Sequence, residues 1–575
     1  MADENAVELL KRGDARFSRR QQLDTYRQEV ALMFAPQHAA WTTELNLGED
    51  FAAHLMDGTP LIVAEDYVSM IGSMLRPAGR QWFWHRTPYE DMNAEPEIRD
   101  YLDWRSQQLM RFLFERTSGA EGALSEADQF YGLFGDAVIA IDYDTPERRR
   151  LTVQHYHSKD ATWEIGKQNK PDVLTRKECL PARVVKARFS TKGLDKPLHR
   201  DIEEACEKDP SRTLDIRHEV LPADEYDAYV KKAGQLRRKE GWVSVWIDAT
   251  NRQVLRETYT NSFRYVIPRA GRRYGFPYGI SRATMIALPD ARLIQQQATA
   301  ILEAAEKQVD PPLFAFGDVL RGNPDLRSRA INMVETDFAD KKHQPIMPIE
   351  LAKNFRLGVD ALMRTEGQIA RAFRLDRIRF PDTRNSKTVE EAQFLINEFV
   401  RSAVPMFSPM KSEYSDEVLY EADRLVEAAG GYSQREKPQA LRDLPADEMV
   451  FSWENALTDM LERQKVQRIT EVSQIGQTVA AYEAAAQQIP ALQQVDSETM
   501  MRDGVVAVGG SSWIMAAQRL KAKREAIAQQ QAQQQAIAAA PNVAQLIDAG
   551  VGAAEAANDI PLMAEPGLPL LPAPG

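Results

Sequence analysis

The sequence has 575 residues, of which 43% are hydrophobic and 27% charged, and it carries a net charge of −12. Those fractions exclude a wholly disordered chain, a collagen and a bare coiled coil, and at about 150 residues per domain the length suggests three to four domains. The acidic balance excludes nucleic-acid binding by bulk charge, so any such contact needs a local basic segment.

Two cysteines, Cys179 and Cys206, stand alone without a C-x-x-C pair, so neither a zinc ribbon nor a disulfide framework is encoded. A reducing cytoplasm suits that usage. Met1 to Asn5 lead into no apolar core of a secretory signal, and no run approaches the roughly 20 apolar residues of a membrane span.

Residues 4–34 form an expected helix, with Tyr26, Val30 and Phe34 at steps of four and Pro36 as the stop. A second helix is expected over 57–76, capped by Asp57 or Thr59 with Pro60 near its first position. The aromatic cluster Trp82-Phe83-Trp84 follows, then helices over 95–117 and 121–135. From 136 to 268 the period shortens to that of strands. Strands are expected at 137–141, 151–156, 161–165, 183–189, 242–248 and 254–259, with helical insertions near 194–208 and 223–237.

Gly275, Pro277 and Gly279 make a turn-rich passage before the next helix, whose main rod Pro289 is expected to open. Ile294, Ala298, Ile301, Ala305 and Val309 share one helical face, and Asp310-Pro311-Pro312 ends it. Prolines and glycines punctuate 313–349, and a second long helix runs over 350–375. The two rods measure roughly 31 Å and 39 Å at 1.5 Å per residue. A stalk with a tip and a pair of core helices joined by a long loop both fit this spacing.

The segment 376–388 carries Arg377, Arg379, Arg384 and Lys387 against Asp376 and Asp382. Its composition is that of a loop, and it directly follows a long helix that can aim it. It reads either as a contact for phosphates or as a subunit-contact loop. Helix resumes at Thr388, where Glu391 completes a capping box, and ends at Gly430-Gly431. Residues 454–540 are helical and rich in Ala and Gln. Pro541 to Gly575 has no Lys or Arg, carries four prolines in its last ten residues, and is expected to be a disordered tail.

Catalytic signatures are scarce. Neither G-x-x-x-x-G-K-[ST], H-E-x-x-H nor G-x-S-x-G occurs. His155 and His157 lie on one face of a strand but lack an evident third metal ligand. Asp142 and Asp144 could hold a divalent cation as in a metal-dependent nuclease, or be a solvated strand end. Trp82-Phe83-Trp84 could stack on bases or anchor a core. Arg148 to Arg150 read as a solvated turn. These patterns single out no catalytic residue, cofactor site or metal site above the bland reading.

The order of elements resembles the head-to-tail connecting (portal) proteins of podovirus-type bacteriophages. The resemblance is carried by Tyr26 to Pro36, Leu75-Arg76-Pro77 to Trp82-Phe83, Tyr274 to Gly279, Ala287 to Asp290, Val309 to Pro312, Thr388 to Ala392, and Phe451 to Gln464. It implies a mixed α+β, helix-rich fold. An α/β wing would comprise 1–278 and 376–450, stem helices 279–309 and 350–375, a small clip 310–349, and a helical crown 451–540 before the tail 541–575. It further implies a dodecameric ring at one capsid vertex through which double-stranded DNA passes during packaging, retention and ejection. The loop after the second stem helix would face the channel, placing Arg377, Arg379, Arg384 and Lys387 against DNA. The implied partners are further copies of the chain, double-stranded DNA, terminase, tail adaptors, and capsid and scaffolding proteins, with no membrane. The implied location is the virion, after assembly in the host cytoplasm. An internal core protein or a tail adaptor of the virion, or a nuclease using Asp142 and Asp144, are the rival readings.

Overall fold

The long first helix, α1 (Glu4–Phe34), ties two hydrophobic cores together. Its first turns bury Ala6 and Leu9 against the faces of strands, and its last turn buries Val30, Ala31 and Phe34 among helices. Between them, Gly13 meets the sheet so closely that a Cβ there would lie 2.7 Å from Glu219 and 2.8 Å from Thr175. Arginines on the same side satisfy buried acceptors. Arg20 donates to the backbone carbonyls of Ser158 at 2.7 Å and Lys159 at 2.6 Å, and Arg27 pairs with the fully buried Asp136.

This computed structural model describes residues 3–44, 46, 48–77, 79–143, 150–166, 169–189, 199–229, 241–309, 313–315, 346–348, 355–374, 409–442, 449–453, 472–482, 499–502, 505, 523 and 527. The chain divides into two units, Met1–Leu461 and Glu462–Gly575. In the second, residues 472–482 are helical and bury Val479.

Helix α2 (Thr59–Leu75) starts where the Asp57 carboxylate accepts from the Thr59 amide at 2.8 Å, with Pro60 in the first turn, where its missing N–H is harmless. Strand β1 (Phe83–Arg86) follows, then α3 (Glu90–Ala94), α4 (Pro96–Phe114) and α5 (Ala120–Leu133). Next come β2 (Val138–Tyr143), β3 (Leu151–Tyr156), β4 (Ala161–Ile165), β5 (Pro171–Pro181), α6 (Ala182–Phe189) and α7 (Arg200–Lys208). The β-rich block closes with β6 (Thr213–Pro222), α8 (Ala223–Tyr229), β7 (Trp242–Asp248), β8 (Gln253–Thr260) and β9 (Tyr265–Val266).

Strands β4 to β8 form a five-stranded antiparallel meander in chain order, and β2 lies between β3 and β9 in a second sheet. The alternation of β7 shows why: Val243, Val245 and Ile247 point into the core shared with Leu9 and Tyr226, while Trp246 turns to the α6–α7 side.

Two expectations from the sequence need correction here. Residues 183–189 are helical, not a strand. Ala182, Val185 and Phe189 recur at steps of three and four and bury against Ile202 and Ala205 of α7. The adjacent Val184 and Val185 imitate a strand because β-branched residues favour one. Strands β5 and β6 were not foreseen. In β5 the inward Arg176 breaks the apolar alternation; its guanidinium lies 3.7 Å over the Tyr156 ring.

After β9 the chain passes a loop whose base is backbone against backbone. A Cβ on Gly279 would lie 1.9 Å from the carbonyl oxygen of Gly135, which itself has φ +98. Helix α9 (Arg282–Val309), β10 (Leu313–Ala315), β11 (Ile346–Pro348) and α10 (Phe355–Ala372) follow. Pro289 lies inside α9 instead of opening it, a third correction. The residues before it, Ala283, Ala287 and Leu288, are buried and hold the first turns in place, while Pro289 itself faces outward. Helix α11 (Asp416–Ala428) and strand β12 (Val450–Trp453) complete the unit. Strand β12 pairs antiparallel with β1, setting Phe83 opposite Trp453.

Candidate functional site

Helices α9 and α10 form an antiparallel hairpin whose root is buried and whose far end carries a strand pair. At the root, Ala287, Ala291, Ile294, Ile369 and Phe373 belong to the main core. The Phe373 ring meets Phe34 of α1 at 5.4 Å and Tyr67 of α2 at 5.3 Å, both edge to face. Midway, the Thr365 hydroxyl donates to Gln297 at 2.9 Å, and Gly358 lets α10 approach Ile301. Beyond the helices, β10 pairs with β11, placing Leu313 opposite Pro348.

Polar clamps fix the direction of the hairpin. Arg292 donates to both carboxylate oxygens of Glu29 on α1, at 2.5 and 2.6 Å. Gln295 accepts from the amides of Met56 at 2.7 Å and Asp57 at 2.9 Å and donates to the Asp57 carbonyl at 2.8 Å. One side of α9 is therefore fully committed to its own chain.

Away from the core, and beside the Arg292 clamp, α9 leaves large apolar side chains open. Met285 is 50% exposed, Ile286 55% and Leu293 42%, with the exposed Pro289 between them. These positions share one side of the helix, so they make a continuous stripe. Toward the far end Leu302 and Leu357 are exposed as well. A contiguous apolar patch on a rigid rod is the signature of a surface covered in an assembly. The outward side of α10 is mixed, carrying Asp360, Arg364, Gln368 and Arg371 together with the exposed Leu357 and Met363.

The four basic residues singled out in the sequence, Arg377, Arg379, Arg384 and Lys387, lie outside the described residues, as do most of the expected clip and the residues of the expected tail. Helix α10 gives way just before them, at Arg374, which adopts a left-handed conformation with φ 56 and bonds back to the Arg371 carbonyl at 2.9 Å. That conformation is uncommon for a side chain other than glycine and turns the chain off the helix axis.

The aromatic cluster after α2 is structural. Trp82 and Phe83 are buried, and Trp82 lies 5.1 Å from Trp453 across the β1–β12 pair. His155 and His157 are brought beside His38, and burial pushes both rings down to about 3, so they are neutral at physiological pH. Among the described residues no group of three or more histidines, cysteines and carboxylates could hold a metal. Asp142 accepts from Arg264 at 2.7 Å, and Asp144 lies outside the described residues.

A buried polar network escaped the sequence reading. His85 hydrogen-bonds Ser106 at 2.8 Å through Nδ1 and Asp423 at 3.1 Å through Nε2. The carboxylate can only accept, so Nε2 carries the hydrogen, while the serine hydroxyl also donates to the Leu102 carbonyl at 2.7 Å. Ser, His and Asp in line invite comparison with a nucleophilic triad, but the arrangement does not suit one. Ser106 and His85 are fully buried, and Asp423 is also held by Arg105 at 2.6 and 3.0 Å and by the Tyr432 hydroxyl at 2.6 Å. Desolvation raises the Asp423 carboxyl, but His85 and Arg105 outweigh it and hold the group well below the usual carboxylate range. This is a clamp joining β1, α4 and α11. Its partners lie more than 300 residues apart, so no local signal could reveal it.

Residues 7–515 match the model of a family described as bacteriophage head to tail connecting protein. No curated protein matches the chain. Among solved structures it is similar to a chain described as the virion of a native gene transfer agent particle. That likeness has 8% identity and a TM-score of 0.28, and covers 68% of this chain and 90% of the other.

The chain belongs to the bacteriophage head-to-tail connecting proteins. That family is one of structural virion proteins. Among the described residues no helix is long and apolar enough to cross a membrane.

Proposed function

We propose that the chain is the portal subunit of a phage capsid: identical copies stand side by side in a dodecameric ring at one vertex, around a channel for double-stranded DNA. In this reading α9 and α10 are the stem, the β10–β11 pair belongs to the clip, and the remaining elements of the first unit form the wing. The region after β12 is the crown, and the tail follows it. The ring is a conduit for packaging, retention and ejection, not a catalyst. It docks terminase and tail adaptors at different stages and sits among capsid and scaffolding proteins, after assembly in the host cytoplasm. The basic segment with Arg377, Arg379, Arg384 and Lys387 faces the channel and grips phosphates reversibly, while the acidic remainder of the chain limits sticking.

The observation that carries the reading is the hairpin: rooted in the core by Ile369 and Phe373, aimed by Arg292 and Gln295, and apolar along the outward side of α9. A solitary subunit gains nothing from Met285, Ile286 and Leu293 in water, whereas a neighbouring copy would bury them. The triple variant Met285→Gln, Ile286→Gln, Leu293→Gln should stay folded and elute as a monomer where the wild type elutes as a ring. Unchanged assembly of that variant contradicts the reading.

A further inference from the structure

We propose that the cleft between the first turns of α1, the start of β6 and the turn joining β7 to β8 is a binding site for an oxyanion, a carboxylate or a phosphate, carried on an apolar stem. The site uses no residue of the hairpin and does not depend on the portal reading.

The cleft has a volume of about 500 Å³, within the range of small-ligand sites. Its charged lining is Lys11 and Asp14 from α1, Asp215 and Arg217 from β6, and Arg252 from the β7–β8 turn. That is three cations against two carboxylates, in a chain whose net charge is −12. Val7 and Leu10 complete the α1 wall. The positions 7, 10, 11 and 14 follow the helical period, so one face of α1 supplies both the apolar and the charged part.

Depth separates the charges. The Arg217 side chain is 12% exposed, whereas Asp14 is 65% and Asp215 44% exposed. The deep group is therefore the cation, and the acids sit at the rim, where water solvates them. Arg217 Nη2 lies 3.8 Å from Asp14 and 3.5 Å from Asp215, both beyond an ordinary N–H···O bond. Its Nη1 has no hydrogen-bond partner. Arg105, by contrast, donates to Asp423 at 2.6 Å and to Glu427 at 2.9 Å. A buried guanidinium left this loosely paired is costly unless an acceptor reaches it.

The sheet supplies a second, independent observation. Strands β5 and β6 set Lys177 directly opposite Arg217. Residues so placed share one face, and like charges there destabilise the pair. Burial and the Arg217 charge both push the Lys177 ammonium down. Among the described residues Lys11, Lys177 and Arg252 form no ion pair, and Lys177 lies 4.0 Å over the Phe17 ring. One oxyanion seated against Arg217 offsets this excess of positive charge. The stem follows from the other wall: Val7 is 36% exposed, and a ligand reaching Arg217 along α1 covers it and Leu10.

The test titrates the full-length protein by calorimetry with phenyl phosphate, benzoate, inorganic phosphate and the peptide acetyl-Leu-Asp-Leu-amide. Phenyl phosphate should bind saturably and more tightly than inorganic phosphate, because its ring covers Val7 and Leu10. Arg217→Gln should weaken that binding by about tenfold or more, the worth of a hydrogen bond to a charged group. Should that variant fail to fold, the exposed pair Lys11→Gln and Arg252→Gln leaves the core intact and should weaken binding and flatten its salt dependence. Val7→Ser should bring phenyl phosphate toward inorganic phosphate and leave inorganic phosphate unchanged. Arg19→Gln removes an exposed cation of α1 outside the cleft and should change nothing. A peptide that binds more tightly than the free anions assigns the group to an acidic side chain of a partner protein, and the reverse order assigns it to a small molecule. No saturable binding of any probe overturns the inference. So does binding unchanged in Arg217→Gln or in the rim pair, or an equal loss in Arg19→Gln.

Discussion

Replacing Asp423 by Asn removes one charge from a site that accepts four hydrogen bonds from three residues. Asp423 accepts from Arg105 Nε at 3.0 Å and Nη2 at 2.6 Å, from His85 at 3.1 Å, and from the Tyr432 hydroxyl at 2.6 Å. The Asn amide turns a donor toward the Arg105 guanidinium, which keeps only Glu427, at 2.9 Å. Breaking one member of a buried pair costs about 3–5 kcal/mol, because the remaining charge is left uncompensated. At about 2.1 cal/mol/K per residue, the unit Met1–Leu461 unfolds with an entropy of about 1 kcal/mol/K. The melting temperature of Asp423→Asn should therefore fall by about 3–5 °C by calorimetry of the unassembled subunit. The control is Glu427→Gln. Glu427 is 36% exposed and touches the same arginine from the rim, so its loss should cost about 1 kcal/mol or less, or about 1 °C. Equal shifts for the two variants, or none for Asp423→Asn, would refute the claim that this network clamps β1, α4 and α11.

Burial pushes the Glu219 carboxyl up to about 7, against the opposing pull of Arg16. Its folded value is raised, so it favours the folded state below the unfolded value near 4.5 and withdraws that support as pH rises through about 7. The difference corresponds to about 3 kcal/mol. The melting temperature of Glu219→Gln relative to wild type should rise by about 3 °C between pH 5 and pH 8, and a pH-independent difference contradicts the assignment. Neutralising Arg377, Arg379, Arg384 and Lys387 together should leave rings intact but impair packaging or retention of DNA. Normal packaging by such rings removes that loop from the channel.

Much of the helical framework was legible because its signals are local. The steps of four through Tyr26, Val30 and Phe34 and the stop at Pro36 place α1, whose observed bounds are Glu4–Phe34. The face through Ile294 and Ala298 and the partner face through Ile369 and Phe373 anticipate the hairpin, because each repeats at the helical period and buries. Strand β5 was illegible because Arg176 points inward over Tyr156, a placement that only cation–π contact and burial make tenable. Residues 183–189 misled through two adjacent valines, since propensity there yields to packing on α7. Pro289 misled because its position suits a helix start, whereas the buried turns before it extend α9 back to Arg282. The outward stripe of Met285, Ile286 and Leu293 could not be read before the opposite side was seen to be occupied.

The association of copies through the hairpin is tested most directly by electron microscopy of the purified full-length protein. The account predicts closed rings with an axial hole wide enough for a duplex, α10 facing that hole and the apolar stripe of α9 covered by the next copy. Monodisperse single subunits, open filaments, or rings in which the hairpin points away from the axis would contradict it.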